Sequence, residues 1–184
     1  MRFILILTLF SQALFGQYFG QNKVQYNEFD WNFIVSPNFN VYYYGDNYDL
    51  AIFTSKIAEE SLDQIGKHLR WRSQQPIKII VYTSHNDFQQ TNIVNVYMSE
   101  GIGGVTELYK NRIVIPFEGS YAQFKHVIHH ELVHAIINDM VYGGNVQGVL
   151  SGRVILQVPL WANEGLAEFL SVGWDTNSDM VLRD

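Results

Sequence analysis

The sequence predicts an α+β fold in which helices lie against a small mixed sheet. Three observations lead to this prediction. The chain has 184 residues, which is enough for one domain with a hydrophobic core. Hydrophobic residues make up 47% and aromatic residues 15% of it, which is typical of a folded, sheet-containing domain. Segments with strand and helix patterns follow the order strands, helix, strands and two helices, so we expect the helices to be segregated on the sheet.

Two strands and a helix are predicted in the first part of the chain. Residues 31–35 and 39–44 are rich in aromatic and β-branched side chains, and Ser36-Pro37-Asn38 between them indicates a turn. From residue 48 to residue 70, apolar residues recur at steps of three and four, which indicates an amphipathic helix. These apolar residues are Leu50, Phe53, Ile57, Leu62, Ile65 and Leu69.

Three further strands are predicted in the middle of the chain. Residues 77–82 are short, apolar and β-branched, which is typical of a buried strand. Residues 105–108 and 112–117 indicate a hairpin that turns at Lys110-Asn111. Together with the first two strands, they predict a small mixed sheet packed on the amphipathic helix.

Two helices are predicted in the last third. Ser120 followed by Gln123 is a capping-box pattern, and residues 121–141 continue without proline or glycine. Pro159 suits the first turn of a helix, which we expect over residues 160–171.

The composition argues against several classes of function. There are 18 Asp and Glu residues against 12 Lys and Arg residues, which gives a net charge of -6. We therefore expect no nucleic-acid partner, because nucleic acids are bound through clusters of Lys and Arg. The chain has no cysteine, which excludes a disulfide scaffold, a thiolate metal site and a cysteine nucleophile.

The first residues have the pattern of a signal peptide. Arg2 supplies a positive charge, residues 3–10 are apolar apart from one threonine, and small residues follow up to Gly16. The apolar stretch is too short to span a bilayer, so we expect no integral membrane span. The sequence thus predicts a signal peptide over residues 1–16, a domain over residues 17–184, and export to the periplasm or the extracellular space. Cleavage after Ala13 and a buried first strand without cleavage are the alternatives.

A His-Glu-x-x-His motif lies in the middle of the predicted helix over residues 121–141. A step of four residues turns a helix by about 400°, so His130 and His134 share one face, as two ligands of a single ion require. Glu131 is then placed to reach a water on that ion. An alternative is a solvated stripe of His and Glu, which the neighbouring His126 and His129 also fit. Only a metal site predicts a third ligand downstream.

The stretch Trp161-Ala162-Asn163-Glu164-Gly165-Leu166-Ala167 supplies that ligand. Together with residues 130–134, it resembles the gluzincins, zinc peptidases whose third ligand is a glutamate on a second helix. The stretch is similar to the Trp-Leu-Asn-Glu-Gly-Phe-Ala motif of the aminopeptidase N family. The resemblance covers residues 130–134 and 159–169. It implies a zincin-like metallopeptidase domain with Zn²⁺ as cofactor, an active-site helix and a second, ligand-bearing helix.

The resemblance also implies a role for each matched residue. It makes His130, His134 and Glu164 the metal ligands, and it makes Glu131 the general base. Glu168 follows Glu164 by four residues and shares its face, so it is an alternative third ligand. A residue at such a position more often supports a ligand from outside, either by accepting a hydrogen bond from a ligand histidine or by pairing with Arg or Lys, and we expect Glu168 to have such a role.

The implied reaction is hydrolysis of a peptide bond, so the expected partner is a peptide or protein substrate. Such enzymes commonly hold the substrate as an added strand, and residues 105–108 and 112–117 are the candidate edges of the sheet. Residues 103–107 weakly resemble an exopeptidase motif. In that motif the position of Glu107 would bind the amine of the substrate. A role as an ordinary hairpin residue is the favoured interpretation of Glu107.

Two alternatives to a peptidase stay open. One is a zinc hydrolase that acts on non-peptide amides or esters. The other is a catalytically weak, gluzincin-like module for binding or assembly. Gluzincins usually supply an oxyanion-stabilising Tyr or His from C-terminal helices, and the sequence up to Asp184 does not indicate such helices. Tyr142 is a candidate substitute for that group, and residues 142–158 form an insertion relative to aminopeptidase N. Domains of this kind also resemble the N-terminal part of long exported proteins with a TolB-like propeller, so further domains beyond Asp184 are an expectation.

Overall fold

The computed structural model describes residues 26–73, 75–93, 101–108, 110–142 and 158–172. The predicted signal peptide and nearly all of the predicted insertion lie outside these residues, so both stay predictions. In chain order the elements are β1 (Trp31–Val35), β2 (Phe39–Tyr44), α1 (Tyr48–Leu69), β3 (Ile77–Tyr82), α2 (His85–Phe88), β4 (Val105–Glu107), β5 (Arg112–Pro116), α3 (Tyr121–Tyr142) and α4 (Leu160–Val172).

The five strands form one mixed sheet in the order β1-β2-β3-β5-β4. Strands β2, β3 and β5 run parallel, and β1 and β4 pair antiparallel at the two sides. The predicted α+β fold with a small mixed sheet is therefore confirmed. The hairpin of β4 and β5 is also as predicted, with Asn111 in its turn at a φ of 47°.

One prediction about the sheet is wrong. Residues 112–117 do not supply an edge, because β5 pairs with β3 on one side and with β4 on the other. The physical reason is burial on both faces, since Ile113, Val114 and Ile115 are all fully buried. Within the described residues β4 pairs with β5 alone, so the candidate edge near the site is β4.

The main core lies between one face of the sheet and helices α1 and α3. Alternate residues of the parallel strands point to this face, as the two-residue period of a strand requires. Helix α1 contacts both β2 and α3, and α3 also contacts β5. The six apolar positions that predicted α1 are all buried or half-buried. The strand residues of this core are Phe39, Val41, Ile77, Ile79, Val81, Ile113 and Ile115.

The opposite face of the sheet carries a smaller cluster that the sequence did not predict. Helix α2 is only four residues long, and its Phe88 packs with Tyr82 and Val114. Its start is fixed by Ser84, whose side chain accepts a hydrogen bond from the Asp87 amide. A helix this short has no measurable hydrophobic period, which explains why the sequence pattern did not indicate it.

The ends of α3 and α4 agree with their predicted bounds to within one residue. The Gln123 amide donates to the Ser120 hydroxyl at 3.3 Å, which is one half of the predicted capping box. At the start of α4, the amides of Ala162 and Asn163 donate to the Pro159 carbonyl. Within the described residues, no helix combines the length and the apolar character needed to cross a membrane.

The turn between β1 and β2 is held by a carboxylate of α1. Glu59 Oε1 accepts hydrogen bonds from the Ser36 hydroxyl at 2.6 Å and from the Asn38 amide at 2.9 Å. Its Oε2 accepts a third from Asn38 Nδ2 at 2.7 Å. Because the acceptor is a carboxylate, these bonds are stronger than neutral ones and fix the hairpin on the helix.

We expect Glu59→Ala to lower the free energy of unfolding by about 1–3 kcal/mol, because it leaves three donors without their acceptor. Glu60→Ala is the matched control, since the neighbouring Glu60 is exposed and makes no hydrogen bond to the turn among the described residues. Urea unfolding of both variants measures the difference. Equal stability of the two variants would contradict the stabilising role of the Glu59 hydrogen bonds.

Candidate active site

Helix α3 places two imidazoles side by side at the surface of the core. His130 Nε2 and His134 Nε2 are 3.2 Å apart, and both side chains are largely buried. The other side of the helix is anchored in the core by Ile128, Leu132 and Ile136, each of which is fully buried. The ligand-like face of the motif is therefore fixed in space by the packing of the opposite face.

Helix α4 packs against α3 and adds a carboxylate to the two imidazoles. Glu164 Oε2 lies 3.4 Å from His130 Nε2 and 3.5 Å from His134 Nε2. Ala167 on the same helix is fully buried, and through this small side chain α4 packs against the core. The structure thus brings together all three residues that the sequence suggested as metal ligands.

These three donor atoms fit a single metal ion. They form a nearly equilateral triangle with sides of 3.2, 3.4 and 3.5 Å. A tetrahedral zinc ion with bonds of about 2.0–2.1 Å has its ligand atoms about 3.3–3.4 Å apart. Two imidazoles and one carboxylate also form the donor set of catalytic zinc sites, whereas closed structural sites usually add thiolates.

Glu168 lies on the far side of the His130 ring from Glu164. Its Oε2 is 3.3 Å from His130 Nδ1 and 3.6 Å from His126 Nε2. His130 therefore faces Glu164 with one ring nitrogen and Glu168 with the other. This position suits a carboxylate that orients a ligand histidine, which is one of the roles the sequence suggested for Glu168.

Glu131 lies next to the two imidazoles and is buried against β4. Its Oε2 accepts a hydrogen bond of 2.7 Å from the hydroxyl of Thr106. Burial raises the pKa of Glu131 above its usual range, and the Glu164 carboxylate adds to that shift. The Thr106 hydroxyl and His134 act in the opposite direction on the pKa, without reversing it.

A cleft of about 690 Å³ opens over these residues. One wall is formed by residues 101–104 and by β4, and the other by α3 and α4. His126 lies in this wall and is partly exposed. Thr106 and Gly104 are residues of the cleft that the sequence did not assign. Both lie in the stretch with the weak likeness to an exopeptidase motif, in which the sequence suggested a role only for Glu107.

Glu107 does not reach the cleft. In the β4–β5 pairing it lies opposite Arg112, and its Oε2 accepts from Arg112 Nε at 2.6 Å. Side chains alternate along a strand, so Glu107 points to the other face of the sheet from Thr106. The structure therefore favours the hairpin role of Glu107 over amine binding.

Other candidate residues are placed elsewhere or are not described. His129 is buried away from the cleft, and burial lowers its pKa. The side chain of Tyr142 lies outside the described part of the chain, so its suggested role stays a prediction.

The burial of Glu131 leads to a prediction for the metal-free protein. A raised pKa means that the folded state holds this proton more tightly than the unfolded state, whose usual value is 4.5. Stability should therefore fall as the pH rises above that value. Because glutamine does not ionise, we expect metal-free Glu131→Gln to be more stable than the wild type at pH 7, with a smaller difference at pH 4.

Thermal unfolding in the presence of a chelator, at both pH values, measures this difference. The comparison between wild type and variant cancels the titration of groups that both proteins share. A difference that stays the same at pH 4 and pH 7 would contradict the assigned cause.

Comparison with known proteins supports a metallopeptidase-like domain. The family model of the Peptidase MA superfamily matches residues 57–184, which is more than half of the chain and includes both motifs. No curated protein and no solved structure matches. On the family match, and with the fold and the cleft described above, the chain belongs to the Peptidase MA superfamily and contains a metallopeptidase-like domain.

Proposed function

We propose that the chain is a zinc-dependent metallopeptidase of the gluzincin type, similar to the aminopeptidase N family. The observation that carries the proposal is the triangle of donor atoms from His130, His134 and Glu164, whose sides match the spacing around one zinc ion. The superfamily match supports the peptidase class.

In this proposal His130, His134 and Glu164 hold Zn²⁺. When bound, the ion supplies a Lewis acid that lowers the pKa of water to about 7 and polarises a substrate carbonyl. Glu168 is the proposed orienting residue of His130, because its Oε2 lies 3.3 Å from His130 Nδ1.

Glu131 is the proposed general base. Its Oε2 is engaged by Thr106, and Oε1 accepts no hydrogen bond from the residues that the structure describes. Oε1 is therefore the atom that takes the proton of the attacking water and passes it to the leaving nitrogen. Burial raises the pKa of this carboxylate, which makes it a stronger base for that proton.

The proposed substrate is a peptide or protein segment in extended form. Strand β4 borders the cleft, and its other edge pairs with no strand in the part of the chain that the structure describes, so such a segment can add there. Gly101 also lines the cleft, and an added Cβ there would meet nothing within 4 Å, so this part of the wall leaves space for substrate side chains.

Export is a separate proposal. It rests on the signal-peptide pattern of residues 1–16, and it places the domain in the periplasm or outside the cell. N-terminal sequencing of the protein from its native host tests it, because export predicts a mature chain that lacks these residues.

We expect the purified protein to bind one zinc ion per chain, as measured by elemental analysis after dialysis. His134→Ala should abolish this stoichiometric binding, because it removes one of three ligands. His68→Ala is the matched control, since His68 is exposed on α1. Equal zinc content in both variants would contradict the site.

We expect Glu131→Gln to keep the zinc and to lose activity on a peptide library by about 10²–10⁴-fold, because it removes only the base. Activity that survives this change would contradict the role of Glu131. Zinc binding without any hydrolysis by the wild type would instead favour the binding or assembly module.

Two substitutions distinguish the ligand from its neighbour. Glu164→Gln and Glu168→Gln are well matched, since both side chains are about half-exposed, at 51% and 49%. We expect Glu168→Gln to weaken zinc binding by about 10–100-fold, as is typical of a residue that orients a ligand. Glu164→Gln should weaken it more. Competition with a chromogenic chelator measures both affinities, and the reverse order would make Glu168 the ligand.

A further inference from the structure

We propose that Thr106 in strand β4 and Gly104 just before this strand are positioning residues that align the general base. Thr106 fixes one carboxylate oxygen of Glu131 by a hydrogen bond, and the missing side chain at Gly104 leaves the space that the other oxygen needs. This inference rests on the proposed function and names what sets the geometry of its base.

Thr106 is aimed at Glu131 by the pairing of the strands. In the β4–β5 ladder it lies opposite Ile113, which is fully buried on the helix side of the sheet. Cross-strand partners point to the same face, so the Thr106 side chain lies between β4 and α3. Its hydroxyl is 2.7 Å from Glu131 Oε2 and 3.0 Å from the Glu131 backbone oxygen.

The hydroxyl has one proton, and the shorter distance assigns it to the carboxylate. A bond to a charged acceptor is also stronger than one to a backbone carbonyl. If Thr106 served only to tie β4 to α3, the backbone oxygen alone would be a sufficient partner. The contact with Oε2 instead fixes the rotation of the carboxylate, so that Oε1 is the atom left for a proton.

Gly104 contributes by what it lacks. A Cβ atom added there would lie 2.9 Å from Glu131 Cγ and 3.0 Å from Glu131 Oε1. It would also lie 2.9 Å from Ile115 Cγ2, which belongs to a fully buried core residue. A side chain at this position therefore requires a shift of Glu131, of Ile115 or of the local backbone, and Glu131 meets it with two atoms. At Gly103 the same Cβ would meet only Val127 Cγ2 at 3.5 Å, an ordinary contact.

The first test removes the Thr106 hydroxyl and then restores it. Thr106→Val keeps the shape of the side chain, and we expect kcat to fall by about 10–100-fold while KM and zinc affinity stay near the wild-type values. Thr106→Ser should recover most of the lost kcat. Thr83→Val is the matched control, because it removes a hydroxyl that contacts Tyr44 on the other face of the sheet.

A merely structural role of Thr106 predicts a different pattern. It would lower thermal stability or zinc affinity together with activity, and Thr83→Val would do the same. A kcat of Thr106→Val within about twofold of the wild type overturns the proposal.

The second test adds a methyl group. Gly104→Ala should lower kcat far more than Gly103→Ala, with zinc still bound in both variants. If the two variants lose activity equally, the steric part of the proposal is wrong.

The third test does not depend on hydrolysis. Crystal structures of metal-free Thr106→Val and Thr106→Ser report the position of Glu131 directly. We expect the carboxylate to leave its wild-type position in the valine variant and to keep it in the serine variant. An unmoved carboxylate in Thr106→Val overturns the proposal even if the wild type proves inactive. An inactive wild type with a displaced carboxylate would instead count against the proposed function alone.

Discussion

Helix α3 has to satisfy two demands at once, and the rest of the structure depends on this. One side of it is buried by Ile128, Leu132 and Ile136, and the other carries His130 and His134. Exposing three such apolar side chains by rotating the helix would cost roughly 5–9 kcal/mol. A hydrogen bond contributes only about 1 kcal/mol. Core packing therefore fixes where the imidazoles point, and hydrogen bonds such as that of Thr106 set only the last rotation of a carboxylate.

Much of the fold followed from local patterns. The predicted helices over residues 121–141 and 160–171 end within one residue of α3 and α4, because capping signals and uninterrupted runs are local properties. The place of each strand in the sheet is not local. Taken alone, the sequence of residues 112–117 fits an edge strand or an inner strand. Its apolar run Ile113–Ile115 is more typical of an inner strand, which is where the structure places it.

The candidate site divides in the same way. The positions of His130, His134 and Glu164 followed from helical spacing and from a resemblance confined to two short motifs. The hydrogen bond from Thr106 to Glu131 could not be predicted in this way, because Thr106 is 25 residues away in sequence and threonine is common in strands. The side on which Glu107 points depends on the strand register, which only the pairing with β5 reveals.

The way in which α4 packs on the core has a consequence for the protein without a bound metal ion. Among the residues of α4 whose burial the structure describes, Ala167 alone is fully buried, and Glu164 is half-exposed. An ion held by both helices would act as a tertiary crosslink, adding its binding free energy to the docking of α4. Chelation would then loosen α4 before α3, and amide exchange in α4 would report the free metal concentration. The cleft would lose one wall when metal is scarce, so metal supply would limit how much of the protein holds a complete site.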